Sequence, residues 1–172
     1  MIAGILQAST FTDEELAQFS ADIERLRELA ANPDLHPYLA SNAHSPVEVI
    51  NTVWEQSRDA PGVARAVGYH PNTSEYVLRR AYLSNEAPPE YRPLFVAHPE
   101  TPAIVLDYAK LDPSWQVRSA VASHRNITPE IAEHLMADSV ETVAQAAAAN
   151  PERFAQPPRN DRQFRKQQRR RG

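Results

Sequence analysis

The chain has 172 residues, of which 42% are hydrophobic and 23% are charged, a balance that suits one compact domain or one short repeat array. It contains no cysteine, which excludes disulfides, thiolate metal sites and cysteine nucleophiles, and its four glycines form neither a phosphate-binding loop nor a nucleophile elbow. The formal charge of −4 is unevenly distributed, because residues 155–172 carry a net +6 and the remainder carries −10.

The first predicted element is an N-terminal capping helix within residues 1–32. Thr12 and Glu15 have the spacing of a capping box, which marks a helix start. The helix is expected to bury one apolar stripe, formed by Leu16, Phe19, Ile23, Leu26 and Ala30. The apolar run at 1–6 is too short for a signal-peptide core, and no stretch reaches the length of a membrane span. We therefore expect a cytoplasmic protein without a membrane partner.

Residues 33–154 contain a repeat in which three apolar residues, spaced 0, +3 and +4, recur five times. This spacing puts the three side chains on one face of a short helix. The triplets begin at Leu35, Val63, Tyr91, Val117 and Val143, which lie 28, 28, 26 and 26 residues apart. Each predicted helix then ends, and the residues at a common offset after four triplets are Asn42, His70, His98 and Asn150. Three of these precede proline, which favours a turn there.

A second helix is predicted after each of four turns, because a Ser or Thr that can cap a helix stands there, usually next to a proline. These start signals are Ser45-Pro46, Thr73-Ser74, Thr101-Pro102 and Thr128-Pro129. Apolar residues follow the same period in each second helix, with a one-residue slip in the last. They are Val49, Ile50, Val53 and Trp54; Val77, Leu78, Ala81 and Tyr82; Val105, Leu106 and Ala109; and Ile131, Ala132, Leu135 and Met136. A single helix pair is too small to cover its own apolar faces, so neighbouring pairs must stack. The predicted fold is all-α, an α-solenoid of about five short helix pairs.

Two stretches of this array resemble units of the leucine-rich repeat variant family, which is related in shape to the HEAT-type helical repeats. They are VRSAVA at 117–122, continuing to ITPEI at 127–131, and FVAHPETP at 95–102. The resemblance covers about residues 33–154 and implies a right-handed superhelix of paired short helices, one of which can be a 3-10 helix, without catalytic residues. The period here is longer than is usual in that family. The cysteines that hold an iron–sulfur centre in one member have no counterpart, so no cofactor is expected.

Histidines occupy near-equivalent turns at three places: His70, His98 and His124. A metal ladder is one interpretation, but adjacent helices lie about 8–10 Å apart, whereas zinc ligands lie about 2.0–2.1 Å from the metal. Because Asn42 and Asn150 take the same position, we favour a hydrogen-bonding role at a helix end over metal binding or catalysis. His134 is expected on the surface.

No catalytic triad or pair of catalytic carboxylates can be assembled from the spacing, so no enzyme, metal or small-molecule substrate is predicted. A helical-repeat DNA glycosylase is the remaining enzymatic alternative, and the acidic body disfavours it. The large aromatic residues are more typical of a core than of a binding surface: Trp54, Tyr82, Tyr108 and Trp115.

We predict a non-enzymatic scaffold or adaptor that binds a protein partner within a larger assembly. The second helices are expected to supply its binding surface through Arg79, Arg80, Asp107, Lys110, Glu130 and Glu133. A basic tail, residues 155–172, is expected to be disordered and to provide a second contact. Its candidate contact residues are Arg159, Arg162, Phe164, Arg165, Lys166, Arg169, Arg170 and Arg171. Nucleic acid or another polyanion, an acidic protein surface, and the acidic body itself are the alternative partners of this tail.

Overall fold

A computed structural model describes residues 11–154, except for the side chain of Arg153. These residues are all-α, with eleven α-helices and three short 3-10 helices and no β-strand within 11–154. They belong to two compact units, of which unit 1 ends at Val105 and unit 2 begins at Leu106. The all-α class predicted from the sequence is confirmed.

Unit 1 contains seven complete α-helices and the start of an eighth. They are α1 (Asp13–Phe19), α2 (Ile23–Leu29), α3 (His36–Ser41), α4 (Val47–Ser57), α5 (Val63–Tyr69), α6 (Glu75–Leu83), α7 (Arg92–Ala97) and α8 (Ala103–Ala109). The last of these crosses the division between the units. Two 3-10 helices, η1 (Pro33–Leu35) and η2 (Pro89–Tyr91), lead directly into α3 and α7.

Helices α3, α5 and α7 pack in series within unit 1, since α5 contacts both of the others, and α4 packs against α3 and α5. The predicted periodicity accounts for the buried faces. In the second helices α4 and α6 all eight predicted apolar residues are buried, namely Val49, Ile50, Val53, Trp54, Val77, Leu78, Ala81 and Tyr82. Trp54 and Phe95 meet edge to face, with ring centroids 5.2 Å apart. This aromatic contact joins the first and third repeats in the unit 1 core.

Unit 2 contains α9 (Trp115–Ala122), α10 (Pro129–Met136), α11 (Glu141–Ala149) and the 3-10 helix η3 (Pro151–Phe154). Helix α11 packs against both α9 and α10. The triplet residues Val117, Val121, Val143 and Ala147 are buried, as are Ile131, Ala132 and Leu135 of α10. Met136 is the exception, because its side chain is 46% exposed at the end of α10.

The N-terminal segment forms two helices where the sequence predicts one. The predicted capping box is present, because Glu15 N donates to Thr12 Oγ1 and Thr12 N donates to a Glu15 carboxylate oxygen. However, α1 ends at Phe19, and Asp22 caps a new helix by accepting from the backbone N–H groups of Glu24 and Arg25. The break turns Phe19, 72% exposed, and Ile23, 45% exposed, away from the core, whereas the rest of the predicted stripe is buried or half-buried.

Two of the four predicted start signals of the second helices are confirmed, because Ser74 accepts from the backbone N–H of Val77 and Thr128 accepts from that of Ile131. The other two differ from the prediction. Ser45 and Thr101 do not cap α4 and α8; their buried hydroxyls donate back to Leu39 O at 2.8 Å and Phe95 O at 2.6 Å. Thr73 does the same to Val67 O, so these hydroxyls satisfy carbonyls at the ends of the preceding helices. The next residue along stands directly before each second helix: Pro46 before α4, Ser74 before α6 and Pro102 before α8. Thr128 occupies that next position, so the apparent one-residue slip disappears and the register is continuous.

Candidate protein-binding surface

A single side-chain position connects successive helix pairs within each unit. In unit 1 the Asn42 amide donates to Ser20 O at 2.8 Å, the His70 Nε2 pairs with Asn42 O at 2.8 Å, and the His98 Nε2 pairs with His70 O at 3.0 Å. In unit 2 the Asn150 amide donates to His124 O at 3.0 Å. We call this set, Asn42, His70, His98, His124 and Asn150, the Asn/His ladder. All five side chains are buried.

Asparagine and histidine are interchangeable in the Asn/His ladder because each can present an acceptor to its own turn and a donor to the preceding helix pair. The acceptor is Oδ1 of asparagine or Nδ1 of histidine, and it receives the backbone N–H two residues further on. An Nδ1 atom that accepts a backbone N–H carries no proton in this arrangement, which leaves Nε2 as the ring nitrogen that can donate to a carbonyl. The predicted hydrogen-bonding role of these residues is confirmed.

The ladder reaches into the N-terminal segment. Asn42 also donates to Ala17 O at 3.0 Å, so its amide satisfies two carbonyls at the C-terminal end of α1. Ser20 therefore stands where a ladder residue stands in the later repeats, and α1 with α2 forms a further helix pair. This long-range contact explains why the predicted capping helix is interrupted after Phe19.

An open cavity of about 360 Å³ lies between the C-terminal ends of α5 and α7 in unit 1. Its walls are largely apolar and include Gly68, Tyr69, Pro71, Leu94, Ala97 and Pro99. Tyr69 is 64% exposed. The equivalent position holds Phe19 in the pair of α1 and α2, and it holds Ser41, Ala97, Ser123 and Ala149 in the later repeats. We call this cavity and its walls the Tyr69 groove. The aromatic ring and the gap beside it are features that a protein ligand can use as an anchor site.

The predicted surface residues Arg79 and Arg80 lie on α6 and have different environments. Arg79 is exposed and pairs only locally, with Glu75 at 3.2 Å. Arg80 donates from Nε to Glu86 at 2.7 Å and from Nη1 to Glu55 at 2.8 Å. Glu86 also accepts from the Trp54 indole at 3.1 Å. Arg80 is therefore engaged in a network that ties α4 to α6.

The charge state of this network follows from its hydrogen bonds. Burial alone would raise the pKa of the Glu86 carboxyl, but the hydrogen bonds from Arg80 and Trp54 outweigh it and hold that pKa below its ordinary value. The same carboxylate raises the pKa of the Arg80 guanidinium. Both groups therefore stay ionised at neutral pH, and their contacts with Trp54 and Glu55 join α6 and the segment after it to α4.

The other four predicted surface residues lie in unit 2. Lys110 donates to Asp107 at 2.6 Å within the end of α8, and the Asp107 side chain is 55% exposed. Glu130 and Glu133 are exposed on α10, where Glu130 lies in the first turn and hydrogen bonds with its own backbone N–H and with Thr128 lower its pKa. In the part of each unit that the structure describes, the predicted surface residues do not come together in one site. The contact between them that the structure shows is the pair of Lys110 with Asp107.

The sequence does not reveal the most buried ion pair of unit 2. Arg118 donates from Nε to Asp138 at 2.6 Å and from Nη2 at 3.0 Å, and the side chains are 15% and 7% exposed. Arg118 also donates to the carbonyls of Asp112 and Pro113. The clamp therefore joins α9 to the segments on either side. No local signal identifies it, because its two partners lie 20 residues apart.

The aromatic residues divide between core and surface. Trp54 and Tyr82 are buried, as predicted, whereas Tyr108 is 62% exposed and Trp115 is 47% exposed. The prediction of a core position is wrong for the latter two. Helix α9 turns its first residue, Trp115, outward because Val117 and Val121 occupy the buried face. His134 is exposed, as expected.

The predicted contact residues of the basic tail, Arg159, Arg162, Phe164, Arg165, Lys166, Arg169, Arg170 and Arg171, lie outside the described residues. Within 11–154, no group of three or more His, Asp or Glu side chains could hold a metal ion. No helix in that same range has the length and hydropathy needed to cross a bilayer. No family model, curated protein or solved structure matches this chain.

Proposed function

We propose that this chain is a non-enzymatic helical-repeat scaffold of the leucine-rich repeat variant type, an α-solenoid that binds a protein partner within a larger cytoplasmic assembly. The observation that carries the proposal is the Asn/His ladder. One side-chain position makes the same hydrogen bond to the preceding helix pair in both units. Such repetition supports stacked units whose outer surfaces bind other proteins.

The Tyr69 groove is the best candidate for the partner's contact site in unit 1. Tyrosine is enriched at binding hot spots because a rigid ring buries much area at a small entropic cost. The repeat requires no aromatic residue here, since four equivalent positions hold Ser or Ala. Tyr69 is also not needed for the core, because 64% of it is exposed. In this proposal the basic tail makes a second contact with the same assembly.

The experiment compares two tyrosines of matched exposure, Tyr69 at 64% and Tyr108 at 62%. Full-length chain and the variants Tyr69→Ala and Tyr108→Ala are used for affinity purification, and the proteins that they capture are quantified by mass spectrometry. We expect Tyr69→Ala to reduce capture of the main partner at least tenfold, in keeping with a hot-spot loss of about 2 kcal/mol. Equal capture by all three chains would contradict the proposed site.

A second candidate function is binding of nucleic acid through the basic tail. The supporting observation is the sequence itself, in which seven basic residues and one acidic residue fall within the last 18. The body, at −10, opposes such binding, so the tail would have to act alone. The test of this function is whether binding to nucleic acid weakens with salt and with the loss of basic residues from the tail.

A further inference from the structure

Two buried histidines connect three helices of unit 1 in series. His70, at the end of α5, contacts Asn42 O at the end of α3, and His98, at the end of α7, contacts His70 O. On the other side of each ring, Nδ1 accepts a backbone N–H, from Asn72 at 3.1 Å and from Glu100 at 3.2 Å. Both ring nitrogens of both histidines are therefore used, and only the neutral form with a proton on Nε2 satisfies them.

Protonation would break this arrangement at one atom of each ring. A proton on Nδ1 would point at the N–H of Asn72 or Glu100, which has no lone pair to accept it. The turn would have to open to let that backbone N–H and the charged ring reach water. The asparagines at equivalent positions do not titrate, so the acid response would belong to the histidines alone.

The titratable groups around the two rings are few. The turns that carry Asn42, His70 and His98 span residues 42–46, 70–74 and 98–102, and their other ionisable side chains are His44 and Glu100. Tyr69 precedes His70 at the end of α5. Burial lowers the pKa of the His70 imidazole, more than its hydrogen bond to the Asn42 carbonyl raises it, and the neighbouring His98 lowers it further.

We propose that His70 and His98 make the packing of α3, α5 and α7 acid-sensitive, so that this part of unit 1 opens as the pH falls from about 6.5 towards 5. The proposal does not depend on the proposed partner or on the Tyr69 groove. A group that stays neutral when folded but binds a proton when unfolded stabilises the fold fully above its unfolded pKa. That stability is lost as the pH falls below 6.5, the ordinary value for histidine.

The test is urea unfolding of the full chain between pH 7.5 and pH 5, a range that lies above the ordinary carboxyl values. We expect the unfolding equilibrium constant of the natural chain to rise by up to about tenfold per pH unit for each histidine that stays neutral when folded. The double variant His70→Asn, His98→Asn should lose the part of this dependence that those two rings supply, up to about tenfold per pH unit for each, since asparagine serves at positions 42 and 150. The buried rings of His36 and His124 are unchanged in that variant. The controls His44→Asn and His134→Asn alter exposed rings and should behave as the natural chain does. Glu100→Gln removes the carboxylate in the turn of His98, and the dependence should persist.

An unchanged pH dependence in the double variant would overturn the proposal. If that variant does not fold, two measurements on the natural chain test the proposal instead. Imidazole 15N spectra should show the Nε2–H tautomer for both rings, and the amide protons of Asn72 and Glu100 should lose protection from hydrogen exchange, relative to intrinsic rates, as the pH falls. Rings with the proton on Nδ1, or amides that stay protected to pH 5, would also overturn it.

Discussion

At the scale of single residues, the close approach of α5 to α7 explains why position 68 holds glycine. It lies inside α5, where helix geometry does not require glycine, and the equivalent positions hold Ala40, Val96, Ala122 and Ala148. A Cβ atom at this position would stand 3.1 Å from the Cβ atom of Leu94. Contact between α5 and α7 is therefore tight enough that a side chain must displace its neighbour. By contrast, Gly62 has φ +82° and open space around it, so there the backbone conformation is what favours glycine.

Gly68→Val is expected to destabilise the protein by about 1–3 kcal/mol, because overpacking forces the two helices apart. Urea denaturation at pH 7.5 measures the loss. Removing the opposing Cβ atom supplies the control, since in a Leu94→Gly background Gly68→Val should cost much less. The explanation would be wrong if the valine cost the same in both backgrounds.

At the scale of elements, paired charges join helices that local patterns leave unconnected. Arg118 and Asp138 form a nearly buried, bidentate pair between α9 and the segment after α10. Burial opposes ionisation of Asp138, but the hydrogen bond from Arg118 is stronger and lowers the pKa of that carboxyl. The resulting stability is present above the ordinary aspartate value and is lost as the pH falls through the lowered one.

Asp138→Asn is expected to destabilise the chain by about 3 kcal/mol at pH 7, because the substitution leaves the Arg118 charge poorly paired in a nearly buried place. Asp107→Asn is the matched control. It removes the carboxylate of the exposed pair with Lys110 and should cost less than about 1 kcal/mol. Thermal or urea denaturation of both variants gives the comparison, and equal losses would show that burial does not strengthen the Arg118 pair.

At the scale of the whole molecule, the basic tail and the rest of the chain carry net charges of opposite sign. Residues 11–154 carry the net −10, and the tail carries +6, so any polyanion that binds the tail is repelled by the rest. Affinity for nucleic acid would then come from phosphate contacts and fall as salt rises, without strong dependence on base sequence. Nucleic-acid binding through the tail can therefore be tested by measuring how the affinity changes with salt concentration.

Replacing Arg169, Arg170 and Arg171 with alanine is expected to weaken binding to duplex DNA. It should also reduce the slope of log affinity against log salt by about 2–3, because each phosphate contact contributes about 0.9. Fluorescence anisotropy with a labelled oligonucleotide, between about 50 and 200 mM salt, gives both the affinity and the slope. Alanine at Arg79, which is exposed on α6, is the control and should leave the slope unchanged. Binding that ignores salt, or that the triple variant retains in full, would exclude this function for the tail.

The amino-acid sequence by itself determined where most helices lie and which of their faces are buried. Apolar spacing at 3.6 residues per turn is a local property, and in the triplets led by Val63 and Val117 both valines are buried and the alanine is half-buried. The turn residues were also readable, since histidine or asparagine before proline ends a helix whatever packs beside it. The functional expectations, including the protein partner and the basic tail, stay predictions.

Only the tertiary structure decided which partners those residues meet. The break after Phe19 depends on the amide of Asn42, the clamp of Arg118 depends on Asp138, and the exposure of Trp115 depends on which face of α9 is covered. Each of the two hydrogen-bonded contacts joins atoms about twenty residues apart in the chain. Such contacts form only when whole helices pack, so no local periodicity encodes them.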